Sequence, residues 1–220
     1  MNELWHEFLR LFTELDAALG EIIQRHGQWT YLILFAIVFA ETGLVITPFL
    51  PGDSLLFAAG ALSAQGGLSV PLMMALLFVA AVIGDALNYH IGKWIGPPAF
   101  SGKYRFLRQS HLEKTQRFFE KHGGRAIIYA RFVPIVRTFA PFVAGVGTMS
   151  YGRFLAFNVI GAVLWVVGFV GAGALFGNIP WVKQNFSKVI LGIIVLSVMP
   201  IAWEMFVAWR ASRRAGSTGA

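Results

Sequence analysis

Residues 126–148 read AIIYARFVPIVRTFAPFVAGVGT. The stretch is apolar enough for lipid, yet it carries Arg131 and Arg137 and is cut by Pro134 and Pro141. A second stretch has the same character. Residues 48–67 read PFLPGDSLLFAAGALSAQGG, with Asp53 among apolar residues and breaks at Pro48, Pro51 and Gly52. Neither is long enough to cross a hydrocarbon core of ~30 Å twice. Broken backbone at that depth is tolerated only where protein or a wet cavity satisfies its polar groups. Both stretches are therefore expected to be re-entrant hairpins, with Gly145 adding a break near the end of the later one.

The flanking sequence supports a bilayer setting. The 220 residues are 56% hydrophobic and 13% charged, about half the charge of a soluble domain. Apolar runs at 29–47, 69–92, 151–177 and 186–208 read as spans. Trp29, Trp94, Trp181 and Trp209 fit interfacial anchors. Residues 1–27 read as an amphipathic interfacial helix, because acidic residues interrupt an otherwise helical apolar spacing. The same acids exclude a signal peptide. Residues 28–208 form the expected membrane domain and 209–220 a basic tail. With no cysteine, disulfides and thiol chemistry are excluded. No histidine cluster has metal-ligand spacing, and no nucleophile–base pair stands out. Neither a metal, a cofactor nor an enzymatic activity is expected.

A net charge of +7 in a soluble protein would suggest nucleic acid. Here the basic residues gather in 93–125 and at the C-terminus, which marks cytoplasmic loops beside anionic phospholipids. With 93–125 in the cytoplasm, 69–92 runs inward. If each hairpin enters and leaves by one face, both termini fall in the cytoplasm and the hairpins point at each other. A hairpin beside a span in each half resembles the inverted repeat of secondary transporters, which hold substrate near the midplane. The expected fold is thus all-α and polytopic, with two facing re-entrant hairpins.

Four charges then sit at bilayer depth: Glu41, Asp53, Arg131 and Arg137. Each costs roughly 2.5–3.5 kcal/mol on insertion scales, so they must pair, face a cavity, or both. A purely structural ion-pair cluster is one reading. The other divides the work by chemistry. Arginine keeps its charge and offers a planar fork of donors that fits phosphate, so Arg131 and Arg137 would bind an anion. Carboxylates exchange protons, so Glu41 and Asp53 would couple that anion to protons. A six-residue gap does not put two side chains on one helical face, so a break at Pro134 is needed for the arginines to converge. Asp85, Asn88 and Tyr89 are possible accessories, Asp85 being either solvated, bonded to Asn88, or a proton relay.

These residues also form a pattern. Glu41-Thr-Gly, Pro48-Phe-Leu-Pro51-Gly-Asp53-Ser and Gly60 resemble the first signature of the DedA family, also called SNARE-associated or VTT-domain membrane proteins. Arg131-Phe-Val-Pro134-Ile-Val-Arg137, with Pro141 and Ala144-Gly145, resembles the second. Gly84-Asp85 with Tyr89 and Gly92, and Asn158 with Gly161 and Trp165, also fit. Some members carry Glu where this chain has Asp53. The resemblance implies a bacterial inner-membrane protein in which Glu41, Asp53, Arg131 and Arg137 are essential. Family members are implicated in returning undecaprenyl phosphate to the cytoplasmic leaflet and others in proton-motive-force-dependent drug resistance, so the family does not fix the substrate. The leading expectation is a proton-coupled flippase for undecaprenyl phosphate. A proton-coupled antiporter of small ions or drugs and a passive phospholipid scramblase are the alternatives.

Overall fold

The computed structural model describes residues 27–44, 52–64, 68–95, 117, 119, 122–147, 149–196 and 199. Within them every regular element is helical: α1 (Trp29–Gly43), α2 (Gly52–Leu62), α3 (Val70–Ile95), α4 (Ala126–Ala130), α5 (Pro134–Val146), α6 (Tyr151–Phe176), α7 (Pro180–Gln184) and α8 (Phe186–Leu196). The expected interfacial helix before residue 27, Pro48, Pro51, most of the basic loop, the end of the last span and the tail lie outside the described residues.

Two helices set the frame. With 26 residues each, α3 and α6 are ~39 Å long at 1.5 Å per residue, enough to cross a bilayer. Their outer faces are apolar: Leu72, Val79, Ile83 and Leu87 on α3, and Ile160, Leu164 and Val167 on α6, are exposed. Their inner faces hold buried Asp85, Asn88 and Asn158. A water-soluble protein shows the opposite arrangement. The two helices pass in opposite directions. Asn158 donates to the Val82 carbonyl at 3.1 Å, and the Tyr89 hydroxyl donates to the Met149 carbonyl at 2.6 Å.

The first apolar run does not form a complete crossing. α1 has 15 residues, ~22 Å, and ends where Leu44 turns extended. It runs alongside α3 in the same direction. Ser69, before α3, donates to the Tyr31 hydroxyl at 2.6 Å, while Asn88 donates to the Thr42 carbonyl at 3.4 Å. α1 therefore stops beside the middle of α3. α2 then runs back: Asp53 at its start meets Trp165, and Ala61 near its end lies against Gly173 and Gly177 of α6. The first helical pair is thus α1 with α2, not 48–67 alone. The expectation of a full span over 29–47 is corrected accordingly, since the chain reverses after Gly43.

The second pair is α4 with α5, and it approaches from the other end of α6. α4 lies beside Gly161, with Ile128 facing that glycine. The chain breaks over Arg131–Val133, where Val133 is extended (φ −120°, ψ 105°), as a residue before proline tends to be. Pro134 opens α5 at a position where its missing N–H costs no helical bond. α5 continues through Pro141 to Val146, so Pro141 is not the expected break. It deprives only the Arg137 carbonyl of its usual helical donor. Gly145 is not a break either, because it lies within α5.

Glycine decides how these parts pack. A methyl group at Gly145 would strike the Tyr89 carbonyl, and one at Gly92 would strike the carbonyl of Phe142. These contacts press α5 against α3 backbone to backbone. Gly60 meets the Val170 carbonyl and Gly173 meets that of Phe57, which does the same for α2 and α6. Small residues replace hydrophobic drive as the means of close helix contact in lipid. α7 and α8 close this side: Val182, Phe186 and Ile190 join the buried cluster around Leu55, Phe57 and Val170.

Substituting Gly145→Val or Gly173→Val should overpack these contacts and cost ~1–3 kcal/mol. Gly168→Ala, on an exposed face with open space around it, should be neutral or slightly stabilising. Thermal unfolding of the detergent-purified variants compares the three, and equal melting temperatures would refute the packing assignment.

Candidate functional site

The tips of both helical pairs meet near the middle of α3 and α6. Glu41 lies in the last turn of α1 and Asp53 in the first turn of α2. The Gly52 N–H donates to Glu41 Oε1 at 3.2 Å. Any side chain at position 52 would collide with that carboxylate, so Gly52 allows the start of α2 to approach Glu41. Both acids consequently sit at the positive end of the α2 dipole, where negative charge is stabilised.

Arg137, in the first turn of α5, bridges them. Its Nη2 pairs with Glu41 Oε1, and its Nη1 donates to Asp53 Oδ1 at 3.1 Å. Asn88 fixes the same assembly from α3. Its side-chain amide reaches the carbonyl of Thr138, beside Arg137, at 2.9 Å, and that of Thr42, beside Glu41. Asn88 thus braces the two backbones that carry the ion pair and does not bond Asp85.

Arg131 follows a different course from the expected one. It projects from the break after α4, and its Nη2 contacts Asp85 Oδ2 and Asn158 Oδ1, the latter at 2.6 Å. Its counter-ion is Asp85, not Glu41 or Asp53. Asp85 is buried at 4% exposure, which removes the solvated alternative. The break before Pro134 does bring the arginines near each other, with Trp165 as the common neighbour. The Trp165 ring centroid lies 5.5 Å from Arg131 Cζ and 5.2 Å from Arg137 Cζ, and its indole N–H donates to Asp53 Oδ1 at 2.7 Å.

Tyr89 stands apart. Its hydroxyl is occupied by the Met149 carbonyl and its ring stacks on Phe154 with centroids 4.6 Å apart, so it secures the junction of α3 and α6. Of the residues singled out by sequence, Pro48 and Pro51 are not described. Glu41, Gly52, Asp53, Asp85, Arg131 and Arg137 gather. Trp165 and Asn158 join them as additions that charge and proline counting did not identify, although two turns of α6 separate them and place them on one face.

Electrostatically the cluster sets three carboxyls against two guanidiniums. All five groups are buried, with Arg131 at 2% and Glu41 at 1% exposure. Several polar atoms remain over. Arg131 Nη1, Arg137 Nε, Glu41 Oε2 and Asp85 Oδ1 have no hydrogen-bond partner among the described residues. Spare donors on two cations beside spare acceptors on two acids make a site that can receive an anion and protons together. The described residues contain no cluster of His, Cys, Asp and Glu suited to a metal ion.

Comparison with known proteins finds relatives among membrane proteins. The VTT domain model matches residues 50–175. Protein DedA of Escherichia coli (strain K12) is 52% identical over 216 residues, covering 97% of this chain and 99% of that protein. An uncharacterized membrane protein of Mycobacterium leprae (strain TN) is 43% identical over 83% of this chain and 81% of its own length. Inner membrane protein YqjA of Escherichia coli (strain K12) is 35% identical over 82% of this chain and 84% of that protein. No solved structure matches the chain.

Removing one partner of a buried pair leaves an uncompensated charge, at a cost of ~3–5 kcal/mol. Asp85→Leu alone should therefore destabilise strongly, and Asp85→Leu with Arg131→Leu should recover much of the loss. Melting temperatures of both single variants and the double variant give the coupling. Simple additivity would mean that Asp85 and Arg131 do not depend on each other.

Proposed function

This chain belongs to the DedA family of VTT-domain membrane proteins, and we propose that it is a proton-coupled flippase for a polyprenyl lipid phosphate, undecaprenyl phosphate, in the bacterial inner membrane. The observation that carries the reading is the pair of buried arginines with unused donors, Arg131 Nη1 and Arg137 Nε, midway along two membrane-length helices. A phosphate headgroup is the lipid part that needs such donors in a low-dielectric site. The uncapped start of α5 offers backbone amides as well. The prenyl chain stays in the lipid.

Charge balance supplies the coupling. Three carboxyls and two guanidiniums reach neutrality when one carboxyl carries a proton. An entering phosphate adds negative charge, and keeping the buried site near neutrality then calls for further protons. Glu41 and Asp53 are the proton carriers in this scheme, because both compete with phosphate for Arg137. A proton on either weakens its hold and frees the guanidinium. Asp85 does the same for Arg131.

The two helical pairs are read as re-entrant hairpins of an inverted repeat, each followed by a crossing helix. The basic loop is placed in the cytoplasm by the positive-inside rule, and the C-terminus with it. α1 begins at the same end as α3, opposite that loop.

Purified protein should bind undecaprenyl monophosphate, and Arg137→Ala or Arg131→Ala should weaken binding about tenfold or more, as expected for a hydrogen bond to a charged group. Unchanged affinity in both variants would end the headgroup assignment. In proteoliposomes, Glu41→Gln should abolish the response of flipping to a proton gradient. A wild-type protein that moves lipid without regard to the gradient would instead be a passive scramblase.

A further inference from the structure

The cluster contains a member that the charge scheme does not use. Trp165 is fully buried, at 0% exposure, in the middle of α6. It touches both arginines and one of their acids at once. The face of α6 that carries it is shaped for this. Asn158, two turns earlier, holds Arg131 at 2.6 Å. Gly161 lies between them, and a methyl group there would stand 3.5 Å from Arg131 Nε. The guanidinium therefore lies across α6 at a glycine, with an amide on one side and an indole ring on the other.

The other partners of the arginines are Glu41 from α1, Asp53 from α2 and Asp85 from α3, and both guanidiniums lie over the Trp165 ring. All three acids can lose their charge by taking a proton, and their hold on the arginines weakens when they do. The ring cannot. Its attraction for a guanidinium comes from the π quadrupole and does not change with pH. The indole N–H can donate to a carboxylate or to the carbonyl oxygen of a protonated acid alike.

We propose that Trp165 is a positioning residue that keeps both guanidiniums aimed at the anion site while their carboxylate partners are protonated. This deepens the lipid-phosphate reading and rests on it. Without the ring, protonation would free the arginines from their acids and also from their places. With it, the donors stay in register and lose only their competitors.

The test compares wild type with Trp165→Phe and Trp165→Leu, using farnesyl monophosphate as the probe in titration calorimetry across a pH series. Phe keeps the ring face, whereas Leu removes it. The affinity ratio of wild type to Trp165→Leu should be near one on the alkaline side and rise to about tenfold on the acid side. Trp165→Phe should restore most of the difference. A ratio that is constant with pH would assign Trp165 to packing alone and overturn the proposal, as would a Phe variant no better than Leu. If wild type binds no farnesyl monophosphate at any pH, the lipid-phosphate reading fails instead. Thermal unfolding then tests Trp165 without a ligand. Trp165→Leu should lose stability relative to Trp165→Phe more steeply in acid, and parallel curves would overturn the proposal.

Discussion

A guanidinium inside a membrane cannot shed its charge and cannot remain unpaired, and much of this protein is arranged around that constraint. Arg137 needs Glu41 and Asp53, which come from two helices separated by a chain reversal. Arg131 needs Asp85 and Asn158, one from each long helix. The six elements that meet at the cluster must all stop, start or pass at the same depth. Both short helical pairs accordingly have their tips there, and both long helices present their few polar residues there. Pairing alone would not explain the arrangement, since a buried ion pair rarely outperforms apolar packing. Keeping charges at this depth makes sense when they exchange partners.

Glycine and asparagine make that arrangement possible for different reasons. The glycines let helices touch at backbone distance, so the cluster is enclosed by rigid contacts on both sides. Asn88 bonds the carbonyls beside Glu41 and Arg137, while Asn158 bonds the Val82 carbonyl of α3 and accepts from Arg131 itself. Neither residue type carries the chemistry. They determine where the charged residues stand.

The sequence made the helical class, the charged residues and the break before Pro134 legible, because charge and proline inside apolar runs have few innocent explanations. Partner choice was not legible. Pairing Arg131 with Asp85 requires knowing that α3 and α6 lie side by side with Asp85 and Asn158 on facing sides, and a topology count gives directions but not neighbours. Trp165 stands in the family pattern, but its contact with the arginines was not legible, since an aromatic residue within an apolar helix looks the same whether it faces lipid or a cation. The reversal after Gly43 was misplaced because apolar residues continue to Thr47, beyond the last helical turn. Pro141 and Gly145 were overread as breaks. A helix can lose one hydrogen bond at a proline, and it can use a glycine for contact with a neighbour instead of for a turn.

The glycine contacts have a mechanical consequence. α5 is fastened to α3, and α2 to α6, so each long helix carries an arm that belongs to the other half of the chain. Glu41 and Arg137 ride with α3, while Asp53 and Trp165 ride with α6. Any tilt of one long helix against the other acts like a lever on the cluster. It leaves the link between Glu41 and Arg137 intact and stretches those from Arg137 to Asp53 and Trp165. In the proposed transport cycle, movement of the frame and exchange of ionic partners would be a single displacement seen at two radii.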